Sequence, residues 1–284
     1  MIIGSEKDHR SREGGAMVYP VYSRRSGGLS IGINLFPDNK HCSFDCPYCE
    51  IFPFKTDIIF NTETMQTALA SAVLEAQQNS IPIKDICFSG NGEPTMSSHF
   101  MQAVTEAESI RAGLVPEAKL VIITNGTGLL DRRVFEFLNT AALSNLDLHI
   151  WLKLDAATEP WYQRIDRSNI PHGELLSRIR DFAATFSPFT IQTMICKVKG
   201  VLPPPVENTA WVQFVTELAV ISTKNDSTEE YMNLRAVQIY GKARPSPEDP
   251  LAETVPAAIL NERADLLRVA LKKKEITTAV EVYE

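Results

Sequence analysis

The chain has 284 residues, of which 44% are hydrophobic and 8% aromatic, and its formal net charge is −7. This composition is typical of a globular protein with one large domain or two small ones. No apolar run is long enough to cross a membrane and no signal-peptide pattern is visible, so we expect a cytoplasmic protein without membrane contact. The acidic balance gives no general attraction to nucleic acid, although a local basic patch could still bind it.

Segments typical of strands and helices alternate along the chain. Residues 1–19 are polar and charged, and we expect them to form a flexible arm. The apolar, β-prone runs predict strands at residues 30–36, 84–88, 119–123, 148–154, 189–198 and 234–240, and residues 276–283 could form a last short strand. Apolar residues at helical spacing predict helices at residues 62–78, 97–112, 131–140, 172–184, 208–221 and 257–273.

This alternation predicts an α/β fold with parallel strands joined by crossover helices. Residues 20–284 are expected to form a single domain, because no linker-like stretch interrupts the pattern. In such folds the active site lies at the carboxyl ends of the strands. Several predicted strands end in polar or glycine-rich clusters, which makes these clusters the first candidates for function.

Three of the five cysteines lie close together after the first predicted strand. Cys42, Cys46 and Cys49 have the spacing C-x3-C-x2-C, and thiolates held on one loop can bind an iron–sulfur cluster. Three protein ligands leave one iron of a four-iron cluster available for another molecule. The alternatives are a zinc site that uses His41 as a fourth ligand, and a disulfide with one spare thiol. Cys87 and Cys196 lie inside apolar strands and are expected in the core.

Polar residues at three further strand ends are candidate binding groups. The second strand is followed by Asn91, Gly92 and Glu93, the third ends at Thr124 and Asn125, and the fourth carries Lys153 and Asp155. Glycine lets a backbone approach a ligand closely, and a carboxylate can receive an ammonium group. An inert turn or ion pair is the alternative at each place. Weaker candidates are Gln192, Thr193, Gln238 and Tyr240, and the roles of Arg24, Arg25 and Arg164 stay open.

The cysteine spacing, with the aromatic Tyr48 just before the third cysteine, resembles the radical S-adenosylmethionine (SAM) superfamily. Asn91-Gly92-Glu93-Pro94 is similar to the glycine-rich motif that follows the second strand in that family, with Asn91 in place of its first glycine. Within the superfamily the chain resembles the wyosine-synthase-like proteins over residues 20–284. The stretches that carry this resemblance are residues 22–27, 32–34, 46–49, 89–95, 153–156, 237–240 and 243–245.

The resemblance implies a partial (β/α)6 barrel that holds one [4Fe-4S] cluster on Cys42, Cys46 and Cys49. It further implies that an electron donor such as flavodoxin or ferredoxin reduces the cluster, and that SAM is then cleaved to a 5′-deoxyadenosyl radical. The adenine of SAM would lie against Tyr48. The other implied SAM contacts are Asn91, Gly92 and Glu93 for the amino group, Thr124 and Asn125 for the ribose or carboxylate, and Lys153 and Asp155.

The resemblance leaves the reaction open. Hydrogen abstraction from a small molecule, peptide or nucleotide is the first hypothesis. A tRNA-modifying enzyme of the wyosine type is the second, although such enzymes use a second cluster on upstream cysteines and no cysteine precedes Cys42 here. Activation of a glycyl-radical enzyme is the third hypothesis, and a non-enzymatic zinc module is the fourth.

Overall fold

The structure is a computed structural model that describes residues 15–143, 148–185, 187–225 and 230–284. Its strands are β1 Val18–Ser23, β2 Gly28–Ile33, β3 Ile83–Phe88, β4 Lys119–Thr124, β5 Leu148–Lys153, β6 Phe189–Ile195, β7 Lys197–Val198, β8 Thr223–Asn225, β9 Glu230–Met232, β10 Leu234–Gly241, β11 Ala252–Glu253 and β12 Ala279–Tyr283. Its helices are α1 Thr62–Gln78, α2 Phe100–Leu114, α3 Arg132–Leu143, α4 Glu159–Ile165, α5 His172–Ala183, α6 Pro205–Ser222 and α7 Ala257–Lys272. Within the described ranges, no helix has both the length and the apolar character that a membrane span requires.

Eight of the strands form one mixed sheet in the order β1-β2-β3-β4-β5-β6-β10-β12. The pairs β2–β3, β3–β4, β5–β6, β6–β10 and β10–β12 are parallel, whereas β1 is antiparallel to β2. Helices α1, α2, α5 and α6 lie in the sequence between parallel strands, as crossover connections do. The predicted parallel α/β architecture is therefore confirmed.

The chain divides into two compact units. The described parts of the first unit are residues 15–42, 51–124 and 148–149. The second unit contains residues 43–50, the described part of 125–145, and the described residues from 150 onwards. A single domain over residues 20–284 stays a prediction.

In the first unit, helix α1 has the bounds that the sequence predicted. The Asn61 side chain accepts a hydrogen bond from the Thr64 amide (2.9 Å) and caps the first turn. Met65, Leu69 and Val73 recur every four residues and are completely buried. This stripe packs the helix against its neighbours β1, β2 and α2.

In the second unit, the core of helix α6 fixes the end of strand β5. Trp211 is fully buried, and its indole nitrogen donates to the carbonyl oxygen of Leu154 (3.1 Å). The Thr193 hydroxyl of β6 donates to the same oxygen (2.8 Å). The backbone between Lys153 and Asp155 is therefore held from two directions, which gives both side chains a rigid base.

Strand β1, helix α4 and the short strands β8, β9 and β11 were not predicted from the sequence. Strand β1 overlaps the predicted arm: Val18 and Tyr19 belong to it, while residues 1–14 lie outside the described residues. Helix α4 lies between the strand predicted at residues 148–154 and the helix predicted at residues 172–184. Both β1 and α4 are short, and β1 is half-buried along most of its length, so neither shows a clear apolar period.

Candidate functional site

The cysteine loop, residues 42–49, begins at a backbone contact with the turn after β3. The His41 amide donates to the carbonyl oxygen of Asn91 (3.0 Å), and the Glu93 amide donates to the carbonyl oxygen of His41 (2.8 Å). A Cβ atom on Gly92 would lie 1.7 Å from the His41 oxygen. Glycine is therefore required at position 92 by the approach of two backbones, whereas the resemblance assigned it to SAM binding. That assignment stays a prediction.

Asn91 holds the same turn against the end of β2. Its side-chain amide donates to the carbonyl oxygen of Phe36 (3.1 Å), and its backbone amide donates to the Asn34 side chain (3.1 Å). Gly90 precedes it with a φ of +119°, a conformation that favours glycine. These contacts fix the direction in which the turn presents Glu93.

Glu93, which follows β3, and Thr124, the last residue of the neighbouring strand β4, are brought together. Oε1 of Glu93 accepts hydrogen bonds from the Thr124 hydroxyl (2.7 Å), the Thr95 hydroxyl (2.6 Å) and the Thr95 amide (3.2 Å). Both Glu93 and Thr124 are 2% exposed. One oxygen of a buried carboxylate is thus held by three donors, and such an arrangement orients the carboxylate as a fixed acceptor.

In the second unit, Asn125 binds the cysteine loop directly. Its side-chain nitrogen donates to the Ser43 hydroxyl (2.9 Å), and its side-chain oxygen accepts from the hydroxyl (2.7 Å) and the amide (3.0 Å) of Thr127. The Ser43 and Thr127 hydroxyls lie 2.7 Å apart and complete the triangle. In this structure the predicted SAM contact Asn125 is a support of the loop.

Tyr48, Lys153 and Asp155 form one buried cluster together with Tyr240. The Tyr48 hydroxyl donates to Oδ2 of Asp155, and the Lys153 ammonium lies 3.1 Å from the same oxygen. The Met194 amide donates to the other oxygen of Asp155 (2.8 Å), and Lys153 donates to the Tyr240 hydroxyl (2.8 Å). The Lys153 nitrogen also lies 5.0 Å from the centre of the Tyr48 ring, within cation–π range.

The electrostatics of this cluster follow from its burial. Burial and the charge of Asp155 raise the pKa of Tyr48, so its hydroxyl keeps its proton and acts as a donor. Burial alone would lower the pKa of Lys153, but Asp155 and Tyr240 outweigh it and leave this pKa above its ordinary value. At neutral pH Lys153 therefore keeps its charge beside Asp155.

None of the five cysteines, all of which lie in the described ranges, forms a disulfide. Cys46 is buried, and its sulfur lies 3.8 Å from Oδ1 of Asp166, to which it donates. Burial and the charge of Asp166 raise the pKa of this thiol. Cys49 donates its amide to the carbonyl oxygen of Cys46 (3.0 Å), which makes a tight turn. Cys87 in β3 and Cys196 between β6 and β7 are both buried in the core, as predicted.

The donor chemistry of the loop fits an iron–sulfur cluster, although the side chains are not arranged around one. Three unbridged thiols lie within eight residues of one loop, beside the buried rings of Phe44 and Tyr48. Over the part of the chain that the structure describes, no three His, Cys, Asp or Glu side chains are grouped to hold a metal ion. The Cys46 thiol donates a hydrogen bond to the Asp166 carboxylate.

The weaker candidate residues make two kinds of contact, one between side chains across the sheet and one with the backbone. Gln192 donates to Gln238 on the adjacent strand (2.8 Å), and Gln238 donates to Glu281 on the next one (3.0 Å), so these side chains form a row across β6, β10 and β12. Arg164 donates to the carbonyl oxygen of Val198 (3.0 Å and 3.2 Å). This guanidinium group therefore supports the backbone of β7.

Sequence reasoning missed two residues near the cysteine loop. Asp166 is not among the predicted site residues, and it is a buried carboxylate that contacts Cys46. Residue 172 was predicted only as the start of a helix, and the His172 ring stacks on Tyr162 with ring centres 4.6 Å apart. Both residues line one small pocket together with Phe44 and Asp155. Asp166 could have been recognised from the sequence by the Trp-Tyr pair shortly before it, because a short helix that buries this pair would also bring Asp166 inwards.

Sequence comparison gives relatives named only as UPF0026 proteins. No protein-family model matches the chain. A UPF0026 protein of Helicobacter pylori is 27% identical over 189 residues, which are 64% of this chain and 56% of that protein. A UPF0026 protein of Synechocystis is 28% identical over 184 residues, 63% of this chain and 64% of that protein. The matched region thus spans between about half and two thirds of these relatives.

Solved structures show the fold. SuiB of Streptococcus suis, in a structure bound to S-adenosylmethionine, superposes with a TM-score of 0.61 over 86% of this chain and 48% of SuiB, at 11% identity. TYW1, in a structure with a lysine-pyruvate adduct bound, gives a TM-score of 0.57 over 84% of this chain and 73% of that chain, at 12% identity. The predicted partial-barrel α/β fold of the radical SAM type is confirmed.

The contact between Gly92 and His41 predicts that Gly92→Ala is strongly destabilising. An added Cβ would overlap the His41 carbonyl oxygen, so the backbone at the start of the cysteine loop must shift. This shift should lower the free energy of unfolding by about 1–3 kcal/mol or more. The matched control is Gly113→Ala in helix α2, where nothing lies within 4 Å of the added Cβ. That change should stabilise the protein by roughly 0.5–1 kcal/mol. Urea unfolding of the metal-free protein measures both effects, and equal stabilities would contradict the close contact.

His172 predicts a loss of stability in mild acid. Burial lowers the pKa of this side chain below its ordinary value of 6.5. The folded state therefore binds fewer protons than the unfolded state, and the free energy of unfolding falls as the pH drops through about 6.5, by at most about 1.4 kcal/mol per pH unit. His172→Gln should flatten this slope between pH 7 and pH 5 in urea unfolding. A variant with the unchanged wild-type slope would show that other groups cause the loss.

Proposed function

We propose that this protein is a radical SAM enzyme that cleaves SAM reductively and uses the resulting 5′-deoxyadenosyl radical to abstract hydrogen from a substrate. The observation that carries the proposal is the loop with three cysteines that form no disulfide, which follows β2 in a fold of the radical SAM type. The turn that bears Glu93 is bound to the start of this loop, which adds support from the same part of the fold.

Cys42, Cys46 and Cys49 are the residues that would hold a [4Fe-4S] cluster. When bound, the cluster supplies the electron that cleaves the sulfonium of SAM. Phe44 and Tyr48 are buried beside the thiols, so these rings would limit access of water to the site. The turn between Cys46 and Cys49 keeps two of the sulfur-bearing residues close along the backbone.

Glu93 is proposed to receive the ammonium group of SAM. Its carboxylate is buried, and Thr124 and Thr95 hold one of its oxygens in a fixed direction. A charge that is already oriented loses little freedom on binding, so more of the interaction energy appears as affinity. Thr124 would then act by positioning Glu93, whereas the resemblance gave it a direct contact with SAM.

Lys153 is proposed to attract a carboxylate, either of SAM or of the substrate. Its ammonium group is held between the rings of Tyr48 and Tyr240 and beside Asp155. Asp155 also receives the Tyr48 hydroxyl and so fixes the ring that is proposed to lie against the adenine. Asp155 thus positions both the Lys153 ammonium group and the Tyr48 ring.

A second candidate function is modification of tRNA. The sequence stretches that resemble wyosine synthases favour it. The net charge of −7 counts against a large nucleic-acid partner. A gel shift with total tRNA at low and physiological salt separates this candidate from a small-molecule or peptide substrate.

Anaerobic reconstitution with iron and sulfide, followed by reduction in the presence of SAM, tests the class directly. The wild type is expected to take up about four irons per chain and to form 5′-deoxyadenosine. Alanine variants of Cys42, Cys46 or Cys49 should lose both properties, because each removes one thiolate ligand. The matched controls are Cys87→Ala and Cys196→Ala, which change buried strand cysteines and should keep iron uptake. A Cys46→Ala protein with wild-type iron content and SAM cleavage would contradict the proposal.

Thr124→Val tests the proposed role of Glu93. Valine has nearly the same shape but cannot donate to the carboxylate, so we expect SAM to bind roughly tenfold more weakly, as for loss of a hydrogen bond to a charged group. The matched control is Thr105→Val, which removes a hydroxyl from an exposed position of helix α2. Equilibrium dialysis of the reconstituted proteins measures the affinity. Equal affinity in both variants would show that Thr124 does not position Glu93 for SAM binding.

A further inference from the structure

One short segment contacts four consecutive residues of the cysteine loop. The segment is residues 162–168, the end of helix α4 and the turn after it, and we call it the α4 exit. The loop residues that it contacts are residues 43–46. The sequence does not predict this contact, because residues 162–168 lie more than a hundred positions further along the chain.

Two of the contacts hold the loop backbone. The Ser168 hydroxyl donates to the carbonyl oxygen of Ser43 (2.8 Å), and the Asp45 amide donates to the carbonyl oxygen of Asp166 (2.9 Å). A peptide amide and a carbonyl group of the loop are therefore satisfied by the α4 exit. Loop backbone that is hydrogen-bonded in this way is less free to open.

The other two contacts hold side chains. The ring of Tyr162 packs edge-on against Phe44, with ring centres 5.7 Å apart. Oδ1 of Asp166 accepts from the Cys46 thiol at 3.8 Å, and both residues are buried. Asp166 thus contacts the loop twice, through its carbonyl oxygen at Asp45 and through its carboxylate at Cys46.

The backbone of the α4 exit is adapted to this task. Arg167 has a φ of +47°, in the left-handed region that non-glycine residues rarely adopt. This turn lets the Asp166 carbonyl group and the Ser168 hydroxyl reach the same loop. The Arg167 side chain pairs with Glu248 (2.8 Å) and with Asp45 (3.5 Å), which holds the unusual conformation in place.

The loop after β10 adds a brace at the other end of the cysteine loop. Arg244 pairs with Glu50 at 3.2 Å, and Glu248 is the residue that binds Arg167. The Asp249 carboxylate holds this second loop together through Lys242 and Ser246. The loop after β10 therefore also supports the cysteine loop, while the contact of Asp166 with the Cys46 thiol belongs to the α4 exit.

We propose that the α4 exit folds the cysteine loop before any metal binds, and that Asp166 is a positioning residue that holds the Cys46 thiol. The proposal rests on the proposed function in taking Cys46 as a cluster ligand. A loop that is already ordered loses little conformational entropy when iron arrives. The α4 exit therefore favours uptake of a cluster without touching SAM or the substrate.

The test is alkylation of Cys46 in the metal-free full-length protein, followed by mass spectrometry of the digested chain. Ser168→Ala removes one backbone hydrogen bond of the loop, so we expect Cys46 to react roughly fivefold faster, as for the loss of about 1 kcal/mol. The matched control is Ser177→Ala, at an exposed position of helix α5, which should react at the wild-type rate. An unchanged rate in Ser168→Ala would overturn the proposal.

Two variants of Asp166 separate positioning from charge. Both variants remove the negative charge that raises the pKa of the Cys46 thiol, so this effect is common to them, and only Asp166→Asn keeps an acceptor oxygen for the thiol. Asp166→Ala should therefore be alkylated roughly fivefold faster than Asp166→Asn, as for the loss of one hydrogen bond. An asparagine variant as fast as the alanine variant would overturn the positioning role.

The same set of proteins, reconstituted, distinguishes this proposal from the proposed function. The wild type should take up iron and sulfide, and Asp166→Ala should lose its visible cluster absorbance in air several-fold faster than Asp166→Asn. If the wild type takes up no iron, the proposed function fails, while the alkylation rates still decide whether the α4 exit orders the loop.

Discussion

The backbone contact between His41 and Gly92 is the constraint on which the start of the candidate site depends. Two hydrogen bonds join these two backbone segments, and they can approach so closely because Gly92 has no side chain. The contact places Cys42 directly beside the turn that carries Glu93, because Cys42 follows His41 in the sequence. A close backbone approach thus fixes the relation of a candidate metal ligand to a candidate SAM contact.

Buried polar groups of the candidate site are held by one another. Glu93 is oriented by Thr124, and Asp155 receives both Tyr48 and Lys153. Unpaired groups of this kind would be costly inside a protein, while paired ones stay rigid and keep a defined direction. Such preorganisation is what a site needs to bind a charged cofactor, and an apolar core of the same size would have served folding equally well.

Much of the fold could be predicted from the sequence because its signals are local. The apolar stripe of α1 predicts the bounds of that helix, and the alternation of strands and helices predicts the parallel sheet. The meeting of Glu93 and Thr124 also follows, since both residues lie at the carboxyl ends of strands that are neighbours in a parallel sheet. The spacing of the cysteines identified the loop without any knowledge of its surroundings.

The remaining features depend on contacts that the sequence does not display. The reason for Gly92 lies in the position of the His41 carbonyl group, fifty residues earlier. Asp166 stands at the end of a seven-residue helix that is too short to show a period, and its contact with Cys46 joins distant parts of the chain. The direction of the Cys46 thiol also could not be predicted, because it depends on whether a hydrogen-bond acceptor or a metal ion is present.

The central claim is that three cysteines hold a cluster whose fourth iron is open to SAM. Low-temperature electron paramagnetic resonance of the reconstituted, reduced protein tests it most directly, with spectra recorded before and after SAM is added. The account predicts the signal of a reduced four-iron cluster, and a change of that signal when SAM occupies the iron that has no protein ligand. A cluster signal that SAM leaves unchanged, or a protein that retains zinc and forms no cluster, would contradict the account.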